Sequence, residues 1–292
     1  MAAPKVPSPL SSPRGRGSKS LHAAVVRCFS CCCLFAFSLI VFLPTNVTAL
    51  EVVAKAAFLM DAMSEKVIWG KNQHLQLQPA STVKVLTALV VIERSRLDEI
   101  VEIPAIATKT TGATIPLAAG EQLSVEALLN AMLLGSANDA AIVLANYSGG
   151  SVGRFVGSMN SKAQALGTRD SKFLNPTGLP LPGQLSTAFD LAVITKAALA
   201  SPDFRRIVGA KKYSWKSARW QGELKNSNRL LDDYAGAIGV KTGNTREAGY
   251  CLIAAATRQN RTLIAVILNS REKSVWQDAR ALLDYGFAAA RQ

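Results

Sequence analysis

The segment Pro79-Ala80-Ser81-Thr82-Val83-Lys84-Val85-Leu86-Thr87-Ala88-Leu89-Val90-Val91-Ile92-Glu93 joins a chain stop to a nearly unbroken apolar run. Its length favours a buried helix over a strand, despite the valines. Lys84 is the single charge between Ser81 and Glu93, and a lysine among apolar neighbours needs a reason. Ser81 lies three residues earlier at the helix start, so the two side chains share a face. A serine hydroxyl is a weak nucleophile until a base takes its proton. A lysine can be that base if burial or a second cation loosens its own proton.

Working outward, Ala56–Ala62 and Lys66–Gly70 are short apolar runs around Met63-Ser64-Glu65, the pattern of a hairpin. Downstream, Glu99–Ile103 is expected to be extended, and Ser124 to cap a helix through Leu134 with Glu126 in its first turn. Gly135 breaks that helix; further helices are expected over Asn138–Tyr147, 151–166, Leu185–Leu199 and Asp203–Val208, with loop around Asn175-Pro176 and Gly178-Leu179-Pro180. Strands then follow at Lys212–Trp215, Ala237–Thr242, Tyr250–Thr257 and Thr262–Asn269. Ser274 with Gln277 reads as a capping box for a last helix through about Ala289. Early and late strands without a βαβ repeat imply an α+β fold: one antiparallel sheet built from both ends of the chain and flanked by helices. A helical lobe at about 104–205 would stand beside it.

Two further triplets supply what Ser81 and Lys84 lack. Ser136-Ala137-Asn138 sits between two helices, where Ser136 can relay a proton to a leaving group and Asn138 can orient Lys84 and bind a substrate carbonyl. Lys241-Thr242-Gly243 ends a strand of small and apolar residues. Lys241 and Thr242 offer a cation and a hydroxyl for a terminal carboxylate, and Gly243 clears space for a substrate. The N–H of Asn244 and those at the start of the Ser81 helix can face an oxyanion. Each triplet alone has an ordinary explanation as a cap, a helix junction or a turn. Their combination, in this order and at element boundaries, points to serine acyl transfer.

Composition narrows the remaining choices. Residues 1–27 carry Lys5, Arg14, Arg16, Lys19 and Arg27 and no acid; Cys28 to Leu43 is apolar, and Val47-Thr48-Ala49 has the small-residue pattern of a signal-peptidase site. Residues 1–49 therefore read as an export leader, cleaved or retained as an amino-terminal anchor, placing the remainder in the periplasm or cell envelope. Without them, 28 Lys and Arg against 20 Asp and Glu leave a net charge of +8. The basic residues are scattered without interleaved aromatics, which argues against nucleic acid. Four cysteines fall in the leader; Cys251, the one left, is expected as a small buried hydrophobe. His74 is the sole histidine after residue 49 and sits in a polar stretch, so neither a Ser-His-Asp triad nor a zinc site is supported. No metal or cofactor is expected.

With these residues in view, the chain resembles the penicillin-binding, low-molecular-mass D-alanyl-D-alanine carboxypeptidases. The resemblance covers roughly residues 52–285. It is carried by the three motifs together with Phe155-Val156-Gly157-Ser158-Met159-Asn160, Phe173-Leu174-Asn175-Pro176-Thr177-Gly178-Leu179 and Val240-Lys241-Thr242-Gly243-Asn244-Thr245. It implies a β-lactamase/transpeptidase-type fold, with Ser81 as acylated nucleophile, Lys84 as base and Ser136 and Asn138 as the second motif. Lys241, Thr242 and Gly243 would be the third motif, Ser81 and Asn244 N–H groups the oxyanion hole, Arg271 an arginine on the terminal carboxylate, and Asn228 a cleft residue. The implied partners are peptidoglycan stem peptides, and β-lactams as covalent inhibitors. Only Ser274–Gln292 follows the last strand, so the β-rich carboxyl-terminal domain of many members is not expected. That short form raises cleavage of peptide cross-links as an alternative. A β-lactamase is a weaker alternative, because Ser171 stands where that class has its deacylating acid and Asp170 is one residue out of place. A non-catalytic peptidoglycan-binding protein is the remaining one.

Overall fold

A computed structural model describes residues 50–289; the expected leader, residues 1–49, lies outside them. Five strands form one antiparallel sheet. β1 (Ala56–Asp61) and β2 (Val67–Lys71) come from the start of the described chain, and β7 (Ala237–Thr245), β8 (Gly249–Arg258) and β9 (Arg261–Ser270) from its end, in the spatial order β2-β1-β9-β8-β7. The two ends meet where Ala56 to Asp61 pair with Leu268 to Leu263.

The near-continuous apolar runs of β1, β8 and β9 follow from burial on both faces, since successive side chains point to opposite sides. Phe58, Ile253, Ala255, Ile264 and Val266 enter one core, and Leu59, Leu252, Ala254, Leu263 and Ala265 the other. The second core is closed by α8 (Ser274–Ala288) through Val275, Ala279, Leu282 and Leu283. The first is closed by α1 (Lys84–Ile92) and α5 (Ala188–Leu199). α1 is buried at every position from Lys84 to Val91, as a helix apolar all round must be.

Between β2 and β7 the chain is largely helical. α2 (Val125–Leu134) is capped by Ser124, whose Oγ accepts from the Ala127 N–H; α3 (Asn138–Gly149) ends at left-handed Gly150; Ser151 caps α4 (Val152–Ala165) and Ser201 caps α6 (Pro202–Gly209). Two small ribbons complete this part. One pairs β3 (Ile100–Glu102) with β4 (Gln122–Ser124), the other β5 (Lys212–Lys216) with β6 (Gln221–Lys225).

Three local expectations change. Ser81 sits not in the α-helix but in a 3-10 turn, Ala80–Val83, that leads into it. The helix expected from Leu185 begins at Ala188, because Leu185 and Ser186 bridge to Lys172 and Leu77 and Thr187 takes the cap. The capping box at Ser274 does not form: Val275 N–H already donates to the Arg271 carbonyl, so Ser274 is drawn into the helix and Lys273 occupies the cap. β6, with Leu224 as its single buried residue, and the short α7 (Leu230–Asp233) carry too little periodic pattern to be read in advance.

Asp278 ties the start of the described chain to its end. Its buried carboxylate accepts from Val53 N–H (2.8 Å), Ala54 N–H (3.0 Å) and Ser270 Oγ–H (2.8 Å). Removing it strands these donors in a dry site. Asp278→Ala is therefore expected to lower stability by about 3 kcal/mol, read as a shift of the denaturation midpoint at unchanged m-value.

Candidate active site

The site is built where the 3-10 turn, the α2–α3 junction, the 175–178 loop and β7 converge. A cleft of about 590 Å³ opens there, lined by Ser81, Ser136, Asn138, Thr242, Gly243 and Asn244 among others. All three sequence motifs thus reach one cavity.

Lys84 is fully buried. Its Nζ lies 3.0 Å from Ser81 Oγ, 2.7 Å from Asn138 Oδ1 and 2.5 Å from the Thr177 carbonyl oxygen. Burial first, and then the charge of Lys241, hold its amine well below the usual lysine range, with Asp139 opposing. The partner set explains what a neutral amine does here. Asn138 Oδ1 and the Thr177 carbonyl can only accept, so two N–H bonds go to them and the nitrogen lone pair is left toward the Ser81 hydroxyl. Asn138 is fixed in that orientation because its Nδ2 donates to the Thr111 carbonyl at 2.8 Å.

Each partner is held from behind. Asp139, next to Asn138 and buried, accepts from Ile115 N–H at 3.0 Å and Ala140 N–H at 2.9 Å. It thereby pins the 111–115 segment that receives Asn138. Burial raises its pKa to about 6 despite those donors. Thr177 is presented by Asn175, whose Oδ1 accepts from Thr177 N–H (3.1 Å), Thr177 Oγ1–H (2.9 Å) and Gly178 N–H (2.7 Å). Gln184 secures that loop in turn, accepting from Leu174 and Asn175 N–H and donating to the Leu179 carbonyl. Gly178 has a φ of +82°, and a Cβ there would fall 1.9 Å from the Ala80 carbonyl oxygen. The loop therefore touches the turn carrying Ser81 backbone to backbone. Two non-glycine residues at the site, Ala80 (φ +48°) and Ser136 (φ +61°), occupy the left-handed region, the kind of strain that clusters at functional positions.

The opposite wall is β7. A Cβ on Gly243 would lie 2.8 Å from Ser81 N, so glycine is what lets the strand approach the serine. Lys241 is buried with its Nζ donating to the Thr242 carbonyl at 2.9 Å, and burial lowers its pKa to about 7. Thr242 Oγ1 and Ser227 Oγ are hydrogen-bonded at 2.6 Å.

Two expected residues fall elsewhere. Arg271 is exposed and lines a separate depression with Val53, Lys71 and Asn269, not the cleft. Its distance past β9 could not tell which way the turn would send it; Glu272, Val275 and Trp276 from the same turn line the cleft instead. Asn228 is buried away from the cavity, accepting from Leu230 N–H, while Ser227 and Arg229 on either side line it. Cys251 is buried as expected, and burial pushes its thiol up to about 11. Sequence reasoning missed Asp139, Asn175, Thr177, Gln184 and Arg229. For Asn175 and Thr177 a signal existed, since both lie in the quoted Asn-Pro-Thr-Gly string, but it assigned them no contact.

Because Lys241 helps depress Lys84, replacing it with Met should let Lys84 hold its proton more firmly. The acidic limb of the pH profile for Ser81 acylation is expected to move to higher pH in Lys241→Met. Stability carries the complementary sign. A lysine with a lowered folded pKa costs stability fully below about pH 7, and the cost fades as pH rises toward the unfolded value. The melting temperature should therefore rise from pH 7 to 10 less steeply in Lys241→Met than in the parent.

Comparison with known proteins agrees with this geometry. A family model described as D-alanyl-D-alanine carboxypeptidase matches residues 44–272. The D-alanyl-D-alanine carboxypeptidase DacB2 of Mycobacterium tuberculosis is 35% identical over 241 residues, covering 80% of this chain and 82% of that protein. DacF of Bacillus subtilis, of the same description, is 35% identical over 80% of this chain, which spans 62% of the length of that relative. Among solved structures, the Streptomyces K15 DD-transpeptidase superposes with a TM-score of 0.78 at 33% identity, covering 82% of this chain and 98% of that one.

Proposed function

We propose, from the premise that this chain belongs to the D-alanyl-D-alanine carboxypeptidase family, that it is a serine hydrolase removing the terminal D-alanine from peptidoglycan stem peptides. The observation that carries the reading is the fully buried Lys84 amine 3.0 Å from Ser81 Oγ. A buried lysine with three oxygen neighbours and no carboxylate in contact is a poor structural ion and a good base.

The reaction follows from that pair. Lys84 takes the Ser81 proton as Oγ attacks the carbonyl carbon between the two D-alanines. The resulting oxyanion is received by the N–H groups of Ser81 and Asn244. The proton held on Lys84 passes by way of Ser136 to the leaving amine, the C–N bond breaks, and D-alanine departs. Water then attacks the Ser81 ester, giving its proton to Lys84; the acyl C–Oγ bond breaks, Lys84 returns that proton to Ser81 Oγ, and the shortened peptide leaves as its carboxylate. A β-lactam acylates the same oxygen, but its leaving amine stays tethered and impedes water.

Slow release of such an adduct is supported by the surroundings. Ser171 hydrogen-bonds to Asp190 Oδ2 and Ser186 Oγ, each at 2.7 Å, and Asp170 lies near His74 outside the cleft. Neither offers a deacylating base, which disfavours the β-lactamase reading. Residues 1–49 would act as the export leader, with residues 50–292 forming the catalytic domain outside the cytoplasmic membrane.

A labelled penicillin should mark the parent protein durably and fail to mark Ser81→Ala, whose melting temperature stays near that of the parent. Released D-alanine from a pentapeptide should vanish with the same substitution. Absence of labelling in the parent would support a non-catalytic binder, rapid loss of label a β-lactamase, and cleavage of a cross-linked dimer in preference to the pentapeptide an endopeptidase.

A further inference from the structure

The cleft contains a cation that no motif announces. Of the residues lining it, Arg229 alone is a lysine or arginine; Glu247 and Glu272 line it as well. The Arg229 guanidinium carbon stands 5.5 Å from the ring centroid of Trp276, a half-buried residue in the first turn of α8 that lines the same cavity. Stacking of this kind uses the face of the guanidinium and leaves its in-plane N–H groups available. The two carboxylates nearest to it in sequence are committed elsewhere. Asp232 pairs with Lys211 at 3.1 Å and Asp233 with Arg280 at 2.5 Å, and among the described residues Arg229 forms no ion pair.

We propose that Arg229, braced on Trp276, binds the carboxylate that ends the substrate peptide. The inference rests on the carboxypeptidase reading above and assigns the recognition that Arg271, outside the cleft, does not provide. Ser227, two residues before Arg229 and on the same side of the chain, already contacts Thr242. Arg229 and the Thr242-Gly243 segment thus line one cleft. Lys241 itself is buried, donates to its neighbour's carbonyl and has a pKa of about 7. A guanidinium is the cation suited to planar, bidentate contact with a carboxylate. Arg229 also offsets Glu247 and Glu272, which would otherwise make this mouth repel an anion.

The test compares two D-alanyl thioesters, one with a thioglycolate leaving group ending in a free carboxylate, the other with that carboxylate blocked as its methyl ester. Thioesters are reactive enough that both rates are measurable. The parent should prefer the free carboxylate. In Arg229→Gln, kcat/KM for the free acid should fall about 10- to 100-fold, while that for the blocked ester changes less than about threefold, so the preference collapses. Arg229→Lys should retain part of the preference. Trp276→Leu, which keeps the charge and removes its brace, should lose part of it. A parent with no preference, or a folded Arg229→Gln that keeps it, overturns the assignment while leaving Ser81 labelling intact. Loss of labelling and turnover in the parent would instead overturn the carboxypeptidase reading, and this inference with it.

Discussion

The molecule is organised around the burial of one amine. Lys84 occupies a place in α1 that an apolar residue would fill at lower cost, and the surroundings convert that cost into reactivity. Two oxygens that cannot donate consume its N–H bonds, a second buried lysine discourages its charge, and the remaining lone pair faces a hydroxyl. None of these features would work at the surface, where water would satisfy the amine and screen Lys241. The core therefore has to be assembled before the chemistry exists. α1 enters the site from a 3-10 turn at one end and is enclosed on all sides beyond it.

Precision at the serine comes from backbone rather than side chains. Gly178 and Gly243 each bring a main-chain segment within contact of the Ala80–Thr82 turn, so Ser81 is held between a loop and a strand. Asn175 and Gln184 make the loop rigid by satisfying its N–H groups internally, and Asp139 does the same for the segment behind Asn138. Such supports have no contact with the reacting atoms, yet they fix the angles at which Ser81 and Lys84 meet.

What could be read in advance follows the reach of the interactions. The Ser81–Lys84 relation is set within one turn and the strands by period-two burial, so the contact of these two side chains and the antiparallel sheet were legible. Ser136, Asn138 and the 241–243 triplet were legible as candidates because they fall at element boundaries. The Thr177 carbonyl was not, since a backbone oxygen has no sequence signature. Arg229 was hidden for a different reason: a lone arginine in a short irregular segment gains meaning only from Trp276, far along the chain. Arg271 shows the converse: linear distance from a strand does not give direction in space. Ser274 shows that a local capping pattern yields to a backbone hydrogen bond formed one residue later.

The pairing of Ala56–Asp61 with Leu263–Leu268 also has a temporal meaning. The centre of the sheet cannot close until synthesis has passed Leu268, and the intervening loop of roughly two hundred residues makes this a contact of high order and slow formation. α1, which needs that sheet as its floor, stays without a home until then.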